Sequence, residues 1–442
     1  LGSRQLYRAL PAGLNNAFLN DRIVGGTEPR YFLPTYTAGA EVRQRWFGSP
    51  RNTLATGLFV HRRSSPGVFV DRGQGANLSF TRELTATTPA SATYRFEFNR
   101  VEASEVYFCV NFGVCDLGTV SALGRAQRLS PLALSTSTAR VDNPLAPRRG
   151  FIGRAELQHA SGFTLSDFRY NRISAELSVY RPAPFLRGAT LAARVRGGYV
   201  VSLGGTVRAL GIEGARGLDG AAPRDVLHPR TRFYAGGSQS VRGFGENQLG
   251  PRVLTIAPDD IRGRVDTTLN GQPATTYACP EPTPLATCFA QRRDALGDDV
   301  FTPRPLGGTT LVEGNVELRV PVWRELSAAF FVDGAMLGER SLRDLANGAS
   351  AITPGIGFRY RSPVGAVRAD LGFRPSLREA LPVVTEIVDS TGARRLVDLT
   401  GGRACDTRGA GAGCQTFPRE NTEGWRGLAR RLVLHLSIGE AF

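Results

Sequence analysis

Side chains able to do chemistry are few in this chain, and they are scattered. The four histidines, His61, His159, His228 and His435, share no spacing with a nucleophile, and neither G-x-S-x-G nor H-E-x-x-H occurs. The acidic pairs Asp259-Asp260 and Asp298-Asp299 match no calcium-loop spacing and read as solvated loop charges. Six cysteines fall as three close couples, Cys109 with Cys115, Cys279 with Cys288, and Cys405 with Cys414, each in a Gly/Pro/Asp-rich segment. None has the C-x-x-C spacing of zinc or redox sites. Local loop disulfides in an oxidising compartment are therefore expected, with free thiols as the alternative. No catalytic, cofactor or metal site is expected, and the chain does not read as an enzyme.

What remains is arginine. The formal charge of +15 rests on 54 basic residues, every one of them arginine. Without lysine there is no phosphate loop of the Walker type. No aromatic-basic motif or recognition helix accompanies the charge, which argues against nucleic acid, whereas anionic lipid headgroups would suit it. One arginine stands apart. From Arg232 to Gly245 the chain reads Arg-Phe-Tyr-Ala-Gly-Gly-Ser-Gln-Ser-Val-Arg-Gly-Phe-Gly, a stretch with neither a period of 2 nor one of 3.6. It is expected to be a packed loop whose glycines let the backbone double back, leaving Arg242 and Phe244 as the long side chains at its tip.

The elements that must position that loop read as strands. No run approaches the roughly 18–20 apolar residues of a membrane helix, and a mean hydropathy of −0.16 is compatible with strands that alternate lipid-facing and lumen-facing residues. In Leu311 to Val322, Val312, Gly314, Val316, Leu318, Val320 and Val322 alternate with Glu313, Asn315, Glu317 and Arg319. Leu326 to Gly338 places Ala328, Phe330, Val332 and Met336 opposite Asp333; Ile352 to Ser362 places Ile356, Phe358 and Tyr360 against Arg359 and Arg361. Val367, Leu371 and Phe373 oppose Arg368 and Asp370, and Arg431 to Phe442 sets Leu432, Leu434, Leu436, Ile438 and Phe442 on one side. His435 then belongs to the lumen or to a seam. A soluble sandwich also alternates, but short turns at one end and long loops at the other are the habit of an outer-membrane barrel.

Earlier strands are expected at Thr53 to Arg63, Gln74 to Leu84, Ala92 to Glu102, Leu132 to Val141, Phe151 to His159, Phe168 to Tyr180 and Leu191 to Val201. A hairpin of Arg22 to Phe32 with Thr35 to Phe47 is expected before them. Asp142 to Gly150 is a turn by composition. Two long loops follow, residues 204–307 and 376–427, the second with a protruding hairpin at Val383 to Leu399.

Four separated pieces resemble the bacterial surface antigen family, the outer-membrane assembly barrels of the BamA/TamA type: the Phe233–Phe244 loop with its Val241-Arg242-Gly243-Phe244 core, the Asp142–Gly150 turn, the Glu317 to Asp333 strand pair, and the terminal Ser437-Ile438-Gly439-Glu440-Ala441-Phe442. The resemblance implies an all-β transmembrane antiparallel barrel in the outer membrane of a Gram-negative-type bacterium. It further implies that the loop folds into the lumen, where Arg242 pairs with Asp333 and Glu317 is a second acceptor. Partners would be outer-membrane lipid and lipopolysaccharide, client outer-membrane β-proteins and periplasmic accessory proteins. Two departures stand out. Glu440 places a charge on the apolar face of the terminal strand, and about 13–14 strands are found where the family has sixteen. The periplasmic POTRA repeats that precede the family's barrel are not in the chain either, so the expectation is a piece of a longer protein, residues 1–442 forming one barrel domain truncated at its start. The terminal strand, with Gly439 and Phe442, would then line a poorly matched seam. The function implied is assembly of client β-proteins through that seam; the alternative is a passive porin or a two-partner secretion pore.

Overall fold

The computed structural model describes residues 33–438, apart from 185, 187, 270–271, 340–344, 346–348, 363–364, 375–378, 389–391, 401–413 and 418–430. Thirteen long strands follow one another around a single antiparallel sheet: β1 (Tyr36–Arg45), β2 (Asn52–Ser65), β3 (Phe69–Thr85), β4 (Thr88–Ala103), β5 (Leu132–Val141), β6 (Gly150–Ala160), β7 (Tyr170–Pro182), β8 (Thr190–Ser202), β9 (Thr310–Trp323), β10 (Leu326–Gly338), β11 (Ala349–Ser362), β12 (Gly365–Phe373) and β13 (Leu432–Ile438). The two-residue strand Gln127–Arg128 adds to β4 off this path. Among the described residues, β1 and β13 are the two ends of the sheet and are not paired with each other. The expected strand Thr35 to Phe47 is β1, and it forms a hairpin with β2. Its other expected partner, Arg22 to Phe32, lies outside the described residues, as do Gly439, Glu440 and Phe442.

Alternation decides which way each strand faces. On β9, Glu313, Asn315 and Glu317 are buried while Val312 and Val316 are exposed, Val316 by 49%. On β10, Asp333 is buried and Phe330 and Val332 are exposed; on β11 and β12, Arg359, Arg368 and Asp370 are buried while Ile356, Phe358, Tyr360 and Val367 are exposed. Apolar residues outside and charged residues inside invert the arrangement of a water-soluble sandwich. They fit a barrel whose outer face meets hydrocarbon. No described helix is long and apolar enough to cross a membrane.

The connections differ at the two ends. At one end the turns are short: Trp323 leads to Leu326, Thr85 to Thr88 and Ser362 to Gly365. The β5–β6 turn is fastened by Asp142, whose Oδ1 accepts from the backbone N–H groups of Asn143, Arg148 and Arg149 at 2.9–3.1 Å. Those donors, Arg148 and Arg149 foremost, hold its carboxyl below the usual range. The other end carries the long segments between β4 and β5, β8 and β9, and β12 and β13.

The described parts of these long segments fold. Ser104 caps the helix Glu105–Phe112, its hydroxyl accepting from the Tyr107 N–H. Tyr107, Phe112 and Phe168 pack with Phe233, Phe244 and Leu249 of the β8–β9 segment and with Leu311 and Leu337 of the barrel wall. A second core forms beyond it from Leu254, Ile256, Ile261, Phe289, Val383 and Phe417. The hairpin at Val383 to Leu399 is present as Val383–Val388 with Arg394–Asp398, but it does not stand free. Its first strand runs parallel to Arg252–Thr255, which pairs in turn with Thr302–Pro305, so both long loops contribute to one small four-stranded sheet.

Disulfides join Cys109 to Cys115 and Cys279 to Cys288, both at this long-loop end. Cys414 is disulfide-bonded; Cys405 lies outside the described residues. Closing loops this short is worth about 2–3 kcal/mol each in the chain-entropy model. Peptide mapping without reductant should recover the first two bonds intact and a third containing Cys414. Replacing Val316 by Arg should cost about 2–4 kcal/mol if it faces the bilayer mid-plane, read by urea unfolding in lipid vesicles; an unchanged midpoint would place this face in water.

Candidate functional site in the barrel lumen

The Arg232–Gly245 stretch enters the lumen, and its tip rests on β9 to β13. Arg242 is 1% exposed. Its Nε and Nη2 donate to the two carboxylate oxygens of Asp333 at 2.7 and 2.8 Å, and its own backbone N–H donates to Asp333 Oδ2 at 3.0 Å. Nη1 donates to Glu317 Oε2 at 2.6 Å, and Asp370 Oδ2 lies 3.5 Å away. The guanidinium also lies over the Phe331 ring, 3.4 Å from its centroid. The planar fork of arginine suits this arrangement, since two parallel bonds to one carboxylate leave a third donor free for another.

The partners are set by register. Asn315 on β9 lies opposite Asp333 on β10, and Asp333 opposite Thr353 on β11. Arg194 of β8 continues the same row beside Asn315. Around Arg242, Arg319 donates to Glu317 Oε1 at 2.8 Å, Arg359 donates to Glu317 Oε2 at 2.8 Å and also reaches Asp370, and Arg368 lies 3.9 Å from Asp370. Four guanidinium groups thus share three carboxylates, and each carboxylate except Asp333 serves more than one arginine. Such a ring tolerates burial only while every member is present, because removing one leaves an uncompensated charge.

The rest of the motif is fastened beside it. Ser240 donates its hydroxyl to Glu313 Oε2 at 2.6 Å and accepts from the Gly236 N–H at 3.1 Å. Glu313 is shared with Arg194 and Arg196, and Asn315 Nδ2 donates to the Ser240 carbonyl at 2.8 Å. Val241 and Phe244 are buried in the core at the barrel mouth. Gly243 has φ +104°, a conformation that L side chains rarely adopt, and its N–H donates to His435 Nε2 on β13 at 3.2 Å. Gly372 of β12 leaves room for the tip: a Cβ there would stand 2.5 Å from the Gly243 nitrogen.

The structure therefore brings Arg242, Asp333 and Glu317 together, and adds Asp370, Arg319, Arg359, Arg368 and His435, whose inward facing the alternation signalled but whose convergence it did not. A second cluster carried no sequence signal. On β2, β3 and β4, His61, Asp71 and Glu97 are buried with potential ligand atoms within 4.8 Å of one another. The place a cation would take is filled by Arg230, whose Nη1 lies 3.0 Å from Asp71, 3.1 Å from Glu97 and 3.4 Å from His61.

Together, a one-sheet barrel with an apolar exterior, a charged interior and a surface loop latched inside define an outer-membrane β-barrel of the loop-occluded kind. The chain belongs to the Omp85 superfamily, whose domain pattern matches residues 31–379. Among solved structures, BamA from Haemophilus ducreyi lacking POTRA domains 1-3 is similar, with a TM-score of 0.50 and 14% identity over 76% of this chain and 58% of that one. CdiB from Acinetobacter baumannii aligns at a TM-score of 0.39 and 13% identity, over 77% of this chain and 46% of that one. The chain thus spans little more than half of the BamA structure. No curated protein matches it by sequence.

Replacing Arg242 by Met strands Asp333 and removes one of the three arginines on Glu317, and should cost about 3–5 kcal/mol, read by urea unfolding in vesicles. Gly372→Ala forces the tip to withdraw while keeping every charge. Limited proteolysis should cleave the β8–β9 segment in both variants and spare the parent; equal resistance in all three would mean that the tip is held elsewhere.

Proposed function

We propose that this barrel is an assembly factor for client outer-membrane β-proteins and works without covalent chemistry. Membership of the Omp85 superfamily sets it in the outer membrane. The observation that carries the finer reading is the latch itself: Arg242 and its buried carboxylates hold the loop on the strands leading to β13, and Gly243 touches β13 directly. A plain diffusion pore has no need to tie its occluding loop to its terminal strand. An incoming strand needs partners for its backbone N–H and C=O groups, which hydrocarbon does not supply. The end of a sheet supplies them. At the other end of this sheet, β1 is exposed along its whole length. Clients would enter between the two ends of the sheet, β1 and β13, with outer-membrane lipid and lipopolysaccharide around them and periplasmic accessory proteins delivering from below.

Proteoliposomes containing the protein should accelerate folding of an added outer-membrane β-protein over empty vesicles, with little ion conductance, and Arg242→Met should reduce the acceleration severalfold. High steady conductance with no gain in client folding would instead favour a porin or a two-partner secretion pore.

A further inference from the structure

The second cluster lies on the opposite end of the sheet order from the first. Arg242 is bound to β9, β10 and, through Asp370, β12. Arg230, only a short distance earlier in the same loop, is bound to β3 and β4, with Nη1 on Asp71 and Glu97 Oε1 and Nη2 on Glu97 Oε2 at 3.1 Å, beside His61 of β2. Strands β5 to β8 separate these two groups along the sheet.

The Arg230 end is built as firmly as the Arg242 end. His228 Nδ1 accepts from the Arg230 N–H at 3.1 Å, while His228 Nε2 lies 2.9 Å from Asn99 Oδ1. Asn99 in turn donates to Glu97 Oε1 at 2.9 Å and to Asp71. Burial pushes the His228 imidazole down to about 4, so near neutral pH it is uncharged and can accept that bond. The Thr231 hydroxyl donates to the His228 carbonyl at 2.7 Å, and the Phe168 ring meets the His228 ring edge to face at 4.9 Å. Between the two anchors the chain is itself tied down: the Tyr234 hydroxyl donates to the Pro229 carbonyl at 3.1 Å, and Phe233 exchanges backbone hydrogen bonds with Gly308 at 2.8 and 2.9 Å.

We propose that the segment from Arg230 to Arg242 is a strap across the lumen, with Arg230 as its second anchor, and that it holds the β2–β4 wall and the β9–β12 wall of the barrel together. The barrel's two flanks can separate only after one end lets go. Because the anchors act in series, weakening either one weakens the link between the two walls. The strap acts within the barrel, whatever the barrel carries.

Series and independent anchors are distinguishable. Nitroxide labels at Leu58→Cys on β2 and Val367→Cys on β12, both on the outer face, report the distance between the walls by pulsed electron resonance in vesicles. Arg230→Met should broaden and lengthen that distribution, as Arg242→Met does, and the double variant should shift it by less than the sum of the two. Arg230→Met with Glu97→Gln, which leaves less stranded charge, should give the same result if the single variant folds poorly. An unchanged distribution on loss of Arg230, or shifts that add in the double variant, would overturn the strap.

Discussion

A buried charge that cannot reach water must be paired, and the lumen of this barrel depends on that constraint. Arg242 is the longest side chain at the tip of a long loop, and without Asp333, Glu317 and Asp370 it would face several kcal/mol of desolvation with no carboxylate to offset it. With them, the tip of the loop is held on β9 and β10. The carboxylates are equally constrained: Glu317 alone is approached by Arg242, Arg319 and Arg359. The pairing thus organises both the loop and the wall, and gives an antiparallel sheet, which by itself is indifferent to what fills it, a specific interior.

The outer face obeys the opposite rule. Hydrocarbon offers no hydrogen bonds, so backbone groups are satisfied within the sheet and side chains such as Phe330, Val332 and Ile356 present only apolar surface. Because side chains alternate strictly, each strand meets both demands at once, and a one-residue slip would exchange them. Latch and lipid face are therefore set by the same register: the pairing that puts Asn315 opposite Asp333 also puts Val316 opposite Val332.

Fastening a loop to the wall at two separated places changes what the barrel can do. A loop held only at Arg242 plugs the lumen; one held also at Arg230 links strands far apart in the sheet. The Arg230 cluster explains why three buried ionisable groups, His61, Asp71 and Glu97, stand together on neighbouring strands: they receive a guanidinium.

Alternation in Leu311 to Val322 and in the strands after it was enough to tell lipid face from lumen face, because a period of two is a local property of consecutive residues. The same holds for the loop character of Arg232 to Gly245, where glycine content leaves no regular element, and for the close cysteine couples, since short sequence separation brings such residues together in most conformations. The resemblance of the loop and of β9–β10 to a known family pointed further, to Arg242 with Asp333. Composition and period alone could not choose among Glu313, Glu317, Asp333 and Asp370, all inward-facing acids. Only the tertiary structure decided that Asp370, Arg359 and Arg368 join the latch, that the Val383–Val388 strand pairs with Arg252–Thr255 of the other loop, and that Arg230 ends among His61, Asp71 and Glu97. Apart from Arg368 with Asp370, neighbours on one strand, those contacts join residues from 11 to 169 positions apart, and they exist because strand register and loop path place them together, which no local pattern encodes.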